Sequence, residues 1–397
     1  MSKDAGPLRP EDDSGPQAPE LTESDPADMS SNLQQLVQDS IDELVGSGAE
    51  TGVQVAVYHH GDLVVDAVAG VADQETGRPV ASDTPFYSAS TGKGASATVA
   101  NVLVDRGVLS YDAPIVEVWP EFGAHGKEKT TLRHVLTHSA GVPALPSTTT
   151  VESITDWTQM TEALAGAEPW WEPGTKMVYH AQTFGFLVGE IVRRATGKTI
   201  SQVLREEITE PLGVADELYF GVPAAELPRV AKLTEPGGFD ETFAMVADMF
   251  AKLAPPAVSP NAAYANSPEV LTADIPSGAT TSARGIAKMY AALLGEVDGV
   301  RLVRAERLAE ISSPVLVAQD DLLGSPATWA MGYLIGRLGL TPEETPYTFG
   351  MMGMGGSVGW ADTSSGVAFA LTKNLFDPTQ SNAAVQIGNL VAKSLAG

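Results

Sequence analysis

The chain has 397 residues and carries 24 Lys and Arg against 50 Asp and Glu, a formal charge of −26. That balance argues against nucleic acid and anionic membrane surfaces as partners, since both require a basic patch. A globular composition (43% hydrophobic, 19% charged) with no cysteine excludes disulfides, thiolate catalysis and cysteine metal sites. The N-terminus shows no apolar signal region and no apolar run of about eighteen residues occurs, so a soluble cytoplasmic protein with no membrane association is expected.

Residues 1–28 are rich in Pro, Asp, Glu, Ser and Gly and nearly free of large apolar side chains, a composition that predicts a disordered tail. From Ser30 onward Leu33, Leu36, Val37, Ile41 and Leu44 recur at helical spacing up to Gly46. Segments 52–58 and 63–70 read as two strands, and the Gly61-Asp62 junction between them suits a tight hairpin. His59 and His60 at its tip lack an acidic or cysteine partner in the local pattern and read as a solvated pair, not as ligands.

The chemistry concentrates in 86–93, Phe-Tyr-Ser-Ala-Ser90-Thr-Gly-Lys93. Lys93 is the one lysine of the chain with a serine three residues before it. If the segment opens a helix, positions i and i+3 share a face one turn apart, which sets Lys93 beside the Ser90 hydroxyl. A serine hydroxyl needs such a base or cation to become a nucleophile, and a helix N-terminus adds backbone N–H groups near a developing oxyanion. Ala97, Ala100, Leu103 and Val104 continue the helical stripe, and Gly107 ends it.

Segment 131–138 predicts a short helix carrying His134 and His138 four residues apart. With no glutamate after the first histidine and no third ligand nearby, they read as a buried structural pair, and no metal or other cofactor is expected. Tyr179 stands where a Pro-Gly turn delivers the chain into an amphipathic helix at 184–194. Residues 205–275 are loop-rich around one apolar segment, 243–253, expected as a helical cover over a pocket. After a helix at 285–294, strands are expected at 331–336, 349–360 and 367–372, then a final helix at 381–394. Strands at both ends with helices between predict an α+β fold: an antiparallel sheet completed by both termini and flanked by helices, with an inserted, mainly helical lobe. The boundaries drawn are a catalytic domain at 29–397, its α/β part at about 29–115 and 280–397 and its helical lobe at about 116–279.

Ser90-Thr-Gly-Lys93, the segments 132–141 and 171–180, and Phe349-Gly-Met-Met-Gly-Met-Gly-Gly-Ser357 followed by Gly359-Trp-Ala-Asp362 occur in an order that resembles the class C β-lactamase-like serine hydrolases. The closest likeness is to the family VIII carboxylesterases. The resemblance implies a β-lactamase/penicillin-binding-protein-like fold, Ser90 as the acylated nucleophile, and Lys93 with Tyr179 as the base system. It further implies an oxyanion hole made of the Ser90 and Met354 backbone N–H groups, and a substrate pocket involving Met351, Met352, Gly353, His180 and Trp171.

Two departures bear on substrate. Where the family usually begins its third motif with Lys or His, this chain has Met351-Met352-Gly353; where β-lactamases carry Asn two residues after the tyrosine, it has Ala181. Without a cationic partner a buried substrate carboxylate is costly, and paired methionines make an adaptable apolar wall. A small-molecule neutral ester, hydrolysed or passed to an acyl acceptor, is therefore expected. A β-lactamase or D-amino-acid peptidase and a binding protein with a dead site are the alternatives. Ser357 lies in a G-x-S-x-G match, the nucleophile elbow of another hydrolase class. That motif requires a later histidine, and the last histidine of the chain is His180.

Overall fold

The computed structural model describes residues 26–379 and 382–395. Of the tail expected at 1–28, positions 1–25 lie outside the described residues; the first helix, α1 (Pro26–Gly46), runs from Pro26. Proline suits a first helical position because its missing N–H has no partner there in any case. Leu33, Val37 and Ile41, spaced by four, are its buried stripe.

β1 (Gly52–His59) and β2 (Asp62–Asp73) form the expected hairpin. Its turn residues are His60 and Gly61, with φ of 50° and 95°. Positive φ at both central positions is the turn whose twist matches paired strands. β3 (Arg78–Pro79), β7 (Leu316–Gln319), β8 (Pro326–Trp329), β9 (Leu334–Ile335), β10 (Thr348–Met352), β11 (Val358–Asp362) and β12 (Val367–Lys373) complete the main sheet. Among the described residues it has nine antiparallel strands in the order β3-β2-β1-β12-β11-β10-β9-β8-β7. β4 (Phe86–Tyr87), β5 (Leu218–Tyr219) and β6 (Thr280–Thr281) make a separate small sheet. The two ends of the chain meet where β1 pairs β12, Val55 opposite Leu371.

Both faces of the central strands β1, β11 and β12 are buried, and alternation sorts their side chains. Val53, Val55, Val57, Phe369 and Leu371 face α1 and the C-terminal helix Asn382–Leu395 in one core. Ala56, Ala361, Ala368 and Ala370 face the other way into the larger core, with the helix Ala283–Leu294. Small residues there let that helix lie close: a Cβ on Gly359 would stand 2.4 Å from Ile286 Cγ2.

Behind that layer lies α2 (Gly92–Asp105), whose residues Gly92–Val104 are all buried. A helix buried on every side lies in the centre of a protein, its Ser96, Thr98 and Asn101 side chains hydrogen-bonded to the Pro276, Gly94 and Met331 carbonyls, and α2 packs against the helix Thr183–Thr196. Between positions 116 and 279 the described chain is helices and loops except for β5, and the apolar cover is the helix Phe239–Phe250.

Two expectations change. The segment expected to be helical through His138 is α3 (Leu132–Leu136), capped by the Thr131 hydroxyl. His138, at φ 57°, lies outside it, so it does not share a helix face with His134, whose Nδ1 accepts the Thr131 N–H. The β7–β8 hairpin was not anticipated. Its outward Val317 is 75% exposed, so its apolar alternation faces solvent at the sheet edge and does not mark a core face.

Candidate active site

Ser90 sits in a tight turn, Ala89–Thr91, that runs directly into α2. Ala89 has φ 43°, a left-handed conformation costly for a residue with a Cβ and sustained only where the surroundings impose it. The surroundings are three close backbone approaches. A Cβ on Gly92 would lie 2.1 Å from the Gly278 carbonyl carbon, one on Gly353 2.2 Å from the Ser88 oxygen, and one on Gly185 2.0 Å from the Ser277 nitrogen. Gly92 and Gly353 let the 278 loop and the end of β10 press against the Ser90 turn, and Gly185 lets Ser277 lie against the helix Thr183–Thr196. Thr91 Oγ1 donates to the Ser357 carbonyl at 3.0 Å and ties the turn to the same strand region.

Lys93, one turn on, is fully buried. Its Nζ lies 2.9 Å from Ser90 Oγ and 2.9 Å from the Ser277 carbonyl oxygen. Burial, with no carboxylate acting on it, pulls its pKa from 10.5 down to about 7. A neutral amine there donates one N–H to Ser277 and keeps a lone pair for the Ser90 proton. Tyr179 completes the group, with Lys93 Nζ 5.0 Å from its ring centre. Burial raises the phenol well above its ordinary value, and a hydrogen bond with Ser90 works the other way.

These groups open on a cavity of about 560 Å³ lined by Ser90, Tyr179, Met351, Met352, Gly353 and Met354. Phe243, Met249 and Phe250 of the cover helix and Trp329 of β8 add apolar walls, and Ala181 and Gln182 lie beside Tyr179. The Met354 N–H follows Gly353 into the loop beside the nucleophile turn. Neither it nor the Ser90 N–H donates to a backbone carbonyl among the described residues.

Trp171 and His180, expected at the pocket, are not on its surface. Trp171 donates its indole N–H to the Ser139 carbonyl at 3.2 Å, and fully buried His180 turns Nδ1 to the Val178 carbonyl. Desolvation brings the His180 pKa down to about 4, so it is neutral. Ser357 stands just before β11, and its hydroxyl accepts the Lys373 N–H at 3.3 Å. His59 and His60 lie on the hairpin, and no group of three or more His, Asp or Glu among the described residues could hold a metal ion.

The site also contains groups that sequence reasoning missed. The Ser277 carbonyl has no side-chain signature, although Ser277 Oγ donates to Gln182 Oε1 at 2.6 Å inside the same wall. Asp320, buried in the β7–β8 turn, accepts the Tyr179 N–H at 2.7 Å. An Asp-Asp pair before a Gly-Ser turn was its only trace in the sequence.

A serine on a helix N-terminus, a buried amine on its hydroxyl and a phenol across from it define a serine hydrolase of the β-lactamase fold. The comparisons agree. The chain belongs to the beta-lactamase family, whose model matches residues 37–391. It is 36% identical over 338 residues to the esterase/beta-lactamase LipL of Mycobacterium tuberculosis, covering 81% of this chain and 77% of the relative. The crystal structure of a family VIII carboxylesterase superposes with a TM-score of 0.82 at 31% identity, over 91% of this chain and 98% of that one. A penicillin-binding-protein homologue from Caulobacter crescentus superposes at 0.80 with 30% identity, over 92% and 98%.

Proposed function

We propose that this protein is a serine carboxylesterase that hydrolyses neutral esters with apolar acyl or alcohol parts through an acyl intermediate on Ser90. One observation carries the reading. Among the described residues lining the cavity there is no Lys, Arg or His, whereas Asp320 and Asp377 are present. A substrate carboxylate drawn into this space would lose its water without gaining a cation, at a cost of several kcal/mol. The esterase in the LipL name and the carboxylesterase neighbour support the same class.

In this reading Lys93, whose neutral form is well populated from about pH 7 upward, takes the Ser90 proton as Oγ attacks the ester carbonyl. The N–H groups of Ser90 and Met354 receive the oxyanion. Tyr179, which keeps its proton, hands it to the departing alkoxide and recovers it from the Lys93 ammonium. Water, activated by the same amine, then releases the acid.

The test is hydrolysis of p-nitrophenyl butyrate and of a chromogenic cephalosporin by the wild type, Ser90→Ala and Ser357→Ala. Expected is ester turnover lost only in Ser90→Ala, with a far smaller kcat/KM on the cephalosporin. Equal or better cephalosporin turnover overturns the substrate assignment, and an active Ser90→Ala overturns the nucleophile. Failure of a fluorophosphonate to label Ser90 in the wild type would establish a dead site.

A further inference from the structure

Tyr179 has to be aimed to within a fraction of an ångström, yet residues 176–180 form no helix or strand. The three consecutive N–H groups centred on it are nevertheless all held. Val178 N–H donates to the His138 carbonyl at 3.3 Å, Tyr179 N–H to Asp320 Oδ2 at 2.7 Å, and His180 N–H to His138 Nδ1 at 2.9 Å. Two residues distant in sequence thus replace the missing ladder of hydrogen bonds. We infer that His138 and Asp320 are positioning residues that aim the Tyr179 phenol at Ser90, an inference that rests on the role proposed for Tyr179 above.

Each is itself fixed. The other carboxylate oxygen of Asp320 accepts the Leu322 and Leu323 N–H groups at 2.8 and 2.7 Å, which anchors it in the β7–β8 turn. His138 is fully buried, and its ring centre lies 4.8 Å from Tyr179, 4.2 Å from Trp329 and 5.0 Å from Phe184. Tyr179 in turn stacks on Trp329 at an interplanar angle of 15°. The ring of His138 therefore supports the phenol while its Nδ1 and carbonyl hold the residues on either side. Its left-handed backbone, φ 57°, is unfavourable for a residue with a Cβ, and it turns ring and carbonyl toward the same segment. Burial keeps the imidazole neutral and Nδ1 an acceptor.

The substitutions separate aim from stability. Asp320→Asn keeps one oxygen for the turn but sets an amide donor against the Tyr179 N–H. His138→Phe keeps a ring and loses the acceptor, whereas His138→Asn tolerates the left-handed backbone and returns an oxygen near Nδ1. Each is made alone and on a Tyr179→Phe background, with kcat and KM measured on p-nitrophenyl butyrate and folding checked by near-ultraviolet circular dichroism. Tyr179→Phe is expected to lower kcat about 10²-fold or more. Asp320→Asn and His138→Phe are expected to lower it about tenfold to 10²-fold with little change in KM, and His138→Asn to recover part of that loss. On the Tyr179→Phe background these losses should vanish, because a residue acting through Tyr179 has nothing left to aim.

If Tyr179→Phe is impaired while Asp320→Asn and a folded His138→Phe keep full kcat, the inference falls and the Tyr179 role stands. Losses that multiply undiminished on the Tyr179→Phe background overturn it as well. A fully active Tyr179→Phe removes the Tyr179 role and the inference with it. Should His138→Phe not fold, Asp320→Asn decides alone.

Discussion

Replacing the proposed base by an apolar side chain of similar length, Lys93→Met, should abolish turnover and yet make the protein more stable at neutral pH. Lys93 is buried without a carboxylate, and its pKa falls from 10.5 to about 7. At about 1.4 kcal/mol per pH unit, that displacement is about 5 kcal/mol of penalty on the charged form. Between these two pH values the unfolded chain holds the proton and the folded chain does not, so unfolding takes up a proton and stability rises with pH. The penalty is complete below pH 7 and gone above 10.5. Against it stands the Ser277 carbonyl, 2.9 Å from Nζ, which the variant strands at a cost of about 1–3 kcal/mol. Lys93→Met should therefore be more stable by about 2–4 kcal/mol at pH 7, the gap closing by about 1.4 kcal/mol per pH unit and reversing between about pH 8.5 and 10. Urea unfolding of both proteins at a series of pH values measures the gap, and common titrations cancel in the difference. A gap that stays constant with pH would show that Lys93 keeps its proton in the folded state, and the base assignment would fail.

Other predictions follow from the same geometry. Because the base must be neutral, kcat/KM for p-nitrophenyl butyrate should rise about tenfold per unit below pH 7 and level off above it; a limb near pH 10 in its place would show that burial does not neutralise Lys93, and its role as the base at neutral pH would fail. Gly353→Ala places a Cβ 2.2 Å from the Ser88 oxygen, so it should displace the Met354 N–H and lower kcat about 10²-fold or more; unchanged kcat in a folded variant would remove Met354 from the oxyanion hole. Met352→Lys puts a cation into a cavity that has none among its described lining residues, so KM for p-nitrophenyl hemisuccinate should fall about tenfold relative to the butyrate; no change in that ratio would mean that charge does not set the substrate class.

The parts of this molecule written as short-range spacing were readable before the fold was known. Ser90 and Lys93 stand one helical turn apart, and one turn is what a three-residue interval encodes. The β1–β2 hairpin was legible in the Gly61-Asp62 junction, and the structure places its positive φ at His60 and Gly61. The order of the termini in the sheet followed from strand patterns at both ends, confirmed by the pairing of β1 with β12. What stayed hidden depends on long-range contact. Val315 and Val317 in the β7 region point outward, so alternation there does not mark a core. The Ser277 carbonyl is a backbone group and could belong to any residue. His180 is adjacent to Tyr179, but neighbours in an extended segment point to different sides; Trp171 stands before the Pro173-Gly174 turn and packs with Val178 and Leu253, so both lie behind the cavity wall. Asp320 lies 141 residues from Tyr179, and no local rule connects them.

The acidic character of the cavity and the neutral state of Lys93 look incompatible until the carboxylates are followed to their partners. An aspartate paired with Lys93 would hold the ammonium charged and remove the base. Asp320 is instead used up by three backbone N–H groups, those of Tyr179, Leu322 and Leu323. Asp377 accepts the N–H and hydroxyl of Thr379 at 2.9 and 2.7 Å. Neither acts on Lys93, whose shift comes from burial alone. The same arrangement serves two ends. Neutral donors hold the carboxylates without adding a mobile cation, so on the proposed reading the cavity disfavours anionic substrates while the amine beside Ser90 stays free to accept a proton. A lysine or arginine added to balance the aspartates would give anionic substrates an anchor, and a carboxylate added to balance Lys93 would silence the nucleophile.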